Sequence, residues 1–182
     1  MLGPIVEGER IRLAPPNEEM LATFIQWLAD PEVTRYMGRI FPPGMAEEKE
    51  WFAQTAKSGD HLIWAVYAID RPEPRLIGTT GLHGINWSGR RAITGNLIGE
   101  KSEWGKGYGS EVVQLRTDYA FTNLPLEQLR TEVAMPNTAS RRALEKAGYK
   151  QYGIAPKEFF RQGAWHDAWL AAIQREDWER DR

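Results

Sequence analysis

Cysteine is absent from all 182 residues of the chain. Disulfide bridges, thiolate metal ligands and a cysteine nucleophile are therefore excluded. The three histidines, His61, His83 and His166, lie far apart and lack the spacing of zinc ligands. We therefore expect a protein that works without a bound metal.

The sequence also lacks a strong net charge and a long apolar run. Its formal net charge is −2 and its isoelectric point is near 6.0, which predicts no direct binding to nucleic acid or to an anionic membrane. No uncharged apolar stretch approaches the roughly 20 residues that cross a bilayer. The first residues lack the basic start and apolar run of a signal peptide. We therefore expect a cytoplasmic protein.

What the chain does contain is typical of one globular domain. Hydrophobic residues make up 42% of it and charged residues 26%, which are ordinary proportions. Its length is within the range of one domain with one core. The sequence shows no internal repeat, low-complexity tract or long linker. We therefore expect a single domain over residues 1–182.

Hydrophobic periodicity predicts seven strands and five helices. The turn clusters between the three middle strands are short enough for antiparallel hairpins. The order of elements is that of an α/β domain of the α+β type, with a mixed, mostly antiparallel sheet of about seven strands flanked by helices. Strands are predicted at 5–13, 61–69, 76–85, 92–99, 129–135, 149–155 and 168–175, and helices at 20–30, 33–37, 46–58, 110–121 and 137–148.

Three alternating glycines stand between a predicted strand and a predicted helix, in the segment WGKGYGS at 104–110. Glycine lets the backbone turn sharply, and the helix that follows adds unpaired N–H groups and the positive end of its dipole. Such a loop is a cradle for phosphate oxygens. It matches neither a P-loop nor the dinucleotide fingerprint, since Ser110 and Val112 stand where the latter requires glycine.

A second informative segment, NTASRRALEKAGY, covers 137–149. Asn137 is placed to cap a helix that Gly148 ends. Ser140 lies one turn into that helix, where a side chain can also face a ligand. Arg142 and Lys146 add positive charge that suits the phosphates or the adenosine end of a coenzyme, and solvated surface charge is an equal alternative for both.

These two motifs, in this order, resemble the GNAT superfamily of N-acetyltransferases. The nearer likeness is to its RimJ/RimL branch, which acetylates N-terminal amines of ribosomal proteins. The segments WLADPEV at 27–33, IGEK at 98–101 and GAWHD at 163–167 also look like that branch. The resemblance implies the GNAT fold, in which a central strand splays from the next and the pantetheine arm of acetyl-CoA enters the gap.

The resemblance also implies acetyl-CoA as co-substrate and assigns residues to it. The backbone from Gly105 to Ser110 would hold the pyrophosphate, after Trp104 in place of the usual Gln or Arg. The strand end at 97–99 would pair with the pantetheine arm, and Asn137 would hydrogen-bond it. The full implied set is Leu97, Ile98, Gly99, Trp104, Gly105, Lys106, Gly107, Tyr108, Gly109, Ser110, Asn137, Ser140, Arg142 and Lys146.

The expected reaction is direct attack of an uncharged amine on the thioester, without a covalent intermediate. Many relatives carry a tyrosine general acid where this chain has Leu144, so Ser140 or water is left to protonate the departing thiolate. We rank Glu100 first as the catalytic base, because it lies just beyond the strand beside the cofactor. Glu132, Glu158 and water are the alternatives. A backbone N–H at the end of the splayed strand would stabilise the carbonyl oxygen.

Selection of the acceptor amine is expected from aromatic and charged residues on two loops. Aromatic walls with a few charges suit a protein N-terminal α-amine or a small amine such as a polyamine or an aminoglycoside. The alternative function is a non-catalytic acyl-CoA-binding sensor, and a homodimer stays open. The predicted acceptor residues are Tyr36, Met37, Arg39, Phe41, Glu158, Phe159 and Phe160.

Overall fold

One mixed sheet of eight strands organises the computed structural model, which describes residues 1–180. The strands are β1 Val6–Glu7, β2 Ile11–Ala14, β3 Leu62–Ala68, β4 Arg75–Asn86, β5 Arg91–Ile98, β6 Gln128–Ala134, β7 Lys150–Arg161 and β8 Ala164–Gln174. Their order across the sheet is β1-β2-β3-β4-β5-β6-β8-β7. Every neighbouring pair is antiparallel except β5 and β6. The predicted mixed, mostly antiparallel sheet is confirmed.

Five α-helices accompany the sheet in residues 1–180. They are α1 Leu21–Ala29, α2 Met45–Lys57, α3 Tyr108–Asn123, α4 Thr138–Lys146 and α5 Arg175–Arg180. Short 3-10 turns at Glu18–Met20 and Lys101–Glu103 stand close before α1 and α3. None of these helices has both the length and the apolar composition of a membrane-crossing segment.

Two hydrophobic clusters hold these elements together. The larger one joins the sheet to α3 and α4, and Trp64, Leu82, Val112 and Phe121 lie fully or almost fully buried in it. The smaller one packs Leu21, Phe24 and Trp27 of α1 against Val33 and partly buried side chains of β4 and β5. Burial of apolar surface is the main favourable term in folding, so both helical layers are fixed to the strands that carry the site.

The parallel pair at the centre of the sheet separates part-way along its length. β5 pairs with β6 only from Arg91 to Ile93, although it stays paired with β4 as far as Ile98. The last link across the gap is a hydrogen bond from Thr94 Oγ1 to the Arg130 carbonyl, at 3.2 Å. The predicted splay of the central strands is therefore present, and it begins after Ile93.

The first predicted strand, at 5–13, is a hairpin of two strands. Gly8 N–H donates to the Ile11 carbonyl at 2.8 Å and reverses the chain between β1 and β2. The Glu111 carboxylate of α3 accepts from the backbone N–H groups of Arg10 and Ile11, at 2.7 and 3.2 Å. A contact with a distant helix therefore holds this reversal, and the sheet has eight strands where about seven are predicted.

The prediction of a helix at 33–37 is wrong, because this segment forms turns. The Asp30 carboxylate accepts from Glu32 N–H at 2.9 Å, and the Asp30 carbonyl accepts from Thr34 N–H at 3.0 Å. Five residues form too few successive hydrogen bonds to repay helix nucleation. Val33 is instead buried against α1.

The last hairpin is longer than predicted. β7 continues to Arg161, and Gln162 and Gly163 turn the chain with left-handed φ values of 53° and 75°, which is typical of a two-residue hairpin loop. Glu158 therefore lies in a strand and not in the loop predicted for it. The helix α5 is missing from the predicted elements, and its Trp178 packs on Phe121 with ring centroids 5.4 Å apart.

Candidate active site

The glycine loop leads directly into α3. Gly105 and Gly107 have φ values of 76° and 88°, which glycine adopts at no steric cost. The Gly107 carbonyl accepts from the N–H groups of Ser110 and Glu111, while the N–H groups that start the helix at Tyr108 have no partner within it. The loop therefore presents amides together with the positive end of a 16-residue helix.

The side chains of this loop anchor it to the neighbouring strand ends. Tyr108 donates its hydroxyl to Asp70 at 2.8 Å and accepts from Arg71 at 2.9 Å. The buried Glu103 accepts from Arg71 at 2.8 Å and from Lys106 at 3.0 Å. These bonds, that of Arg71 above all, lower the pKa of Glu103 to about 2. Lys106 and Tyr108 thus use their side chains for anchoring, and their backbone N–H groups are left for a ligand.

Arg10 flanks the glycine loop from the start of β2. Its guanidinium donates to the Lys106 carbonyl at 3.0 Å, lies 5.1 Å from the Tyr108 ring centroid and pairs with Glu111 at 3.0 Å. An arginine beside an amide cradle complements a phosphate group. Arg10 is not among the residues predicted from the sequence, because no local pattern links it to a loop so far along the chain.

A groove of about 570 Å³ opens where β5 leaves β6. Its walls are the ends of these two strands, the glycine loop and the first turn of α4. It brings together most of the residues predicted for acetyl-CoA and two of those predicted for the acceptor. These are Tyr36, Met37, Leu97, Ile98, Trp104, Gly105, Gly107, Tyr108, Gly109, Ser110, Asn137 and Ser140.

Two backbone groups of the segment 97–99, which is predicted to pair with the pantetheine arm, already form hydrogen bonds within the protein. Gly99 N–H donates to the Ile77 carbonyl at 2.9 Å, and a Cβ at Gly99 would stand 2.1 Å from the Trp27 ring. The Ile98 carbonyl accepts from Trp104 Nε1 at 2.7 Å. Gly99 is therefore a close-packing position under α1, outside the groove lining, and the predicted pairing of its amide with a pantetheine arm is not open in this structure.

The first turn of α4 has the predicted geometry. Asn137 Oδ1 accepts from Ser140 N–H at 3.3 Å, which confirms the helix cap. Ser140 is half-buried and lines the groove. Arg142 and Lys146 are exposed and lie outside the groove lining. Leu144, at the position of the tyrosine acid in relatives, is buried in the core.

The carboxylates predicted as bases have different surroundings. Glu100 accepts from the Ser102 hydroxyl at 2.8 Å and pairs with Arg75 at 2.7 Å, and these contacts, the first above all, lower its pKa. Glu132 of β6 lines the groove, and burial, with a smaller effect of the Glu158 charge, raises its pKa. A base works best with a pKa close to the operating pH, so its place in the groove and the direction of its pKa shift favour Glu132 over Glu100.

The loop at 36–41 is tied to the last hairpin. Arg161 of β7 donates to the Met37 carbonyl, and to the Arg39 carbonyl at 3.0 Å. Phe41 is 78% exposed and Phe160 is 48% exposed, and neither lines the groove. The residues predicted to select the acceptor are therefore divided between the groove and the outer surface.

A family model described as acetyltransferase (GNAT) domain matches residues 10–150, well over half of the chain. The chain belongs to the GNAT acetyltransferase family. A curated relative of this GNAT chain, "Uncharacterized N-acetyltransferase YoaA" of Bacillus subtilis (strain 168), is 29% identical over 174 residues, which are 93% of this chain and 96% of the relative. As a family member, the chain is an acetyl-CoA-dependent N-acetyltransferase.

Solved structures show the same fold as the GNAT chain. A spermidine N-acetyltransferase from Vibrio cholerae in complex with CoA and spermine has a TM-score of 0.87 at 21% identity, over 94% of this chain and 99% of that one. RimL, a ribosomal L7/L12 α-N-protein acetyltransferase in complex with coenzyme A, has a TM-score of 0.78 at 15% identity, over 93% and 97%. The predicted GNAT fold is confirmed, and the fold alone does not single out the RimJ/RimL branch.

A second cavity of the GNAT domain, of about 380 Å³, lies over β3, β4 and β5 next to α1 and α2. We call it the β4 cavity. It shares Met37 and the strand segment 95–97 with the groove. Glu48 and His83 in its lining are not predicted from the sequence, because neither belongs to a local motif. Its side chains include Phe24, Trp27, Leu28, Arg39, Glu48, Trp51, Trp64, Thr79 and His83.

The ring of His83 fits into this cavity because two glycines make room for it. A Cβ at Gly81 or Gly95 would stand 3.2 or 3.3 Å from the ring. Burial, with smaller effects of nearby positive groups, lowers the pKa of His83 to about 4, so the ring is neutral at pH 7. Below it, the fully buried Arg116 donates to Thr80 Oγ1 and the Gly95 carbonyl, both at 3.0 Å. Within residues 1–180, no cluster of three or more His, Asp or Glu side chains is arranged to hold a metal ion.

Proposed function

We propose that the protein transfers the acetyl group of acetyl-CoA to a primary amine, with the cofactor in the groove between β5 and β6. The observation that carries this proposal is the position of the glycine loop. The left-handed Gly105 and Gly107 aim helix amides at a groove of about 570 Å³ whose wall also contains Asn137 and Ser140. A phosphate cradle and a polar helix turn thus face one elongated space.

In this proposal, the pyrophosphate binds to the amides of residues 105–110, with the Arg10 guanidinium beside it. The pantetheine arm lies along Leu97 in the gap that begins after Ile93. Asn137 uses its carbonyl oxygen for the helix cap, so its amide N–H groups are the donors that are left for the arm.

The amine attacks the thioester carbon directly, a C–N bond forms, and the C–S bond breaks. Ser140 protonates the departing sulfur and takes a proton back from water, and a backbone N–H at the free end of β5 stabilises the carbonyl oxygen. Glu132 accepts the proton of the amine, directly or through water, and its raised pKa supports this role. Glu100 remains the weaker candidate for the base, because Arg75 and Ser102 engage its carboxylate.

Two acceptor classes agree with the comparisons. The spermidine N-acetyltransferase structure holds spermine, a small amine, and RimL is named for a protein α-amine. For this chain, a small amine or a protein N-terminal α-amine is therefore the acceptor within the proposed function.

Calorimetry and a thiol-release assay test this proposal. We expect heat of binding when CoA is titrated into the purified protein, and release of free thiol from acetyl-CoA with at least one member of a panel of amines and N-terminal peptides. Absence of binding heat with CoA, or thermal stabilisation by ATP equal to that by acetyl-CoA, would overturn the cofactor assignment. Binding without thiol release from any amine would instead identify a non-catalytic acyl-CoA sensor.

A further inference from the structure

The β4 cavity adjoins the acetyl-CoA groove, and none of the glycine-loop residues lines it. It reaches the strand segment 95–97, which also lines the groove. In the proposed function, the pantetheine arm, which ends in the thioester, lies along Leu97 of this segment. A molecule in the β4 cavity would therefore meet the acyl carbon from a space that the cofactor does not fill.

The walls of the β4 cavity are largely apolar. Phe24 and Trp27 of α1, Trp51 of α2 and Trp64 of β3 contribute four aromatic side chains to the lining. Such surfaces bind apolar or aromatic groups of a ligand, while a small number of polar groups fix its orientation. A hydrated, extended polycation would lose its water here and find a single carboxylate, that of Glu48, in return.

The charged groups around the β4 cavity leave room for one ligand cation at most. Glu48 is its one lining carboxylate and is 4% exposed. Arg39 also lines the cavity and pairs with Glu47 outside it. The buried Arg116 guanidinium stands under the cavity with Nη1 3.0 Å from the Gly95 carbonyl, and His83 adds a neutral ring. The cavity therefore offers a ligand cation one carboxylate, that of Glu48, because Glu47 already pairs with Arg39.

We propose that the β4 cavity holds the acceptor, and that the acceptor is a monoamine joined to an apolar or aromatic body. Glu48 is a specificity-determining residue that pairs with the single ammonium group as it enters. The proposal rests on the proposed acetyl transfer and narrows its acceptor class. A second cationic group, as in spermidine, would face Arg39 or Arg116 with no carboxylate of its own.

Steady-state thiol release at saturating acetyl-CoA tests the acceptor class. We expect kcat/KM for 2-phenylethylamine and tryptamine to exceed that for spermidine and 1,4-diaminobutane at least tenfold. Equal or better turnover of spermidine would overturn the inference while leaving acetyl transfer intact. A short peptide that is a better substrate than every small amine would also overturn it. Absence of CoA binding would instead count against the proposed function itself.

A matched pair of variants tests Glu48. Glu48→Gln should raise the KM for 2-phenylethylamine about tenfold, and should leave the Kd for CoA unchanged as a check on folding. Glu50→Gln is the control, since Glu50 lies two residues further along α2, is exposed and does not line the cavity; its KM should match that of the parent. An unchanged KM in Glu48→Gln, or an equal rise in Glu50→Gln, would exclude the pairing of Glu48 with the amine.

Discussion

Ser140 is the single side chain whose removal tests the chemical step most directly. Ser140→Ala should lower kcat about 10- to 100-fold, because an unprotonated thiolate is a poorer leaving group, and should not change the Kd for CoA. Thr138→Ala, at the exposed first residue of α4, is the control and should keep the parent kcat. A kcat for Ser140→Ala within about twofold of the parent across pH would assign the proton to water.

His83 predicts how stability depends on pH. Its folded pKa of about 4 lies below the ordinary value of 6.5, so the unfolded chain takes up the proton first as the pH falls. The contribution of the neutral His83 ring to the free energy of unfolding is complete above pH 6.5. It is lost as the pH falls from 6.5 to 4, by about 3 kcal/mol at most. Urea unfolding at pH 7.0 and 4.5 should show a smaller loss for His83→Gln than for the parent; equal losses would contradict this origin.

Single residues could be predicted from the sequence where their role is local. Asn137 and Ser140 share one helix turn, and the alternating glycines of the loop follow one another, so spacing alone brings them together. Glu48 lies in a charged helix whose sequence predicts solvent exposure. Only the packing of α2 in the folded protein buries this residue, which is 4% exposed. The place of His83 depends on Gly95 in the neighbouring strand, which no local spacing reveals.

At the scale of elements, Gly105 of the glycine loop can be compared with a glycine of the same conformation that lies outside the groove. Gly105 has φ 76° and Gly163, in the β7–β8 turn, has φ 75°, and a Cβ would meet nothing within 4 Å at either position. Gly105→Ala and Gly163→Ala should therefore lower stability by a similar amount, roughly 1 kcal/mol. Only Gly105→Ala should raise the Kd for CoA, about tenfold, in calorimetry. Equal Kd values for the two variants would contradict phosphate binding by this loop.

The long elements could be predicted and the short ones could not, for a physical reason. Helices α3 and α4 and the three middle strands carry their own periodicity and turn signals. The β1–β2 reversal depends on Glu111 of α3, and the turns after α1 depend on Asp30. A short segment takes its conformation from such contacts, because its few hydrogen bonds do not decide it alone.

At the scale of the whole molecule, the order of strands along the chain does not give their order across the sheet. β8 lies between β6 and β7 because it pairs antiparallel with both, from Ala134↔Ala168 to Gln128↔Gln174 on one side. Hydrophobic patterning identifies the strands but not these neighbours. The gap between the central strands was predicted from the resemblance of two motifs to the GNAT family. Composition and periodicity do not predict it.

The early end of the β5–β6 ladder has a measurable consequence for exchange with solvent. Amides of residues 94–98 that face β6 resemble those of an edge strand, although they lie in the interior of the sheet order. Saturating CoA should slow deuterium uptake in 94–98 by at least tenfold, while 168–172, which is paired on both sides, should keep its rate. In that case the cofactor acts as an added strand, and the sheet is complete only while the ligand is present.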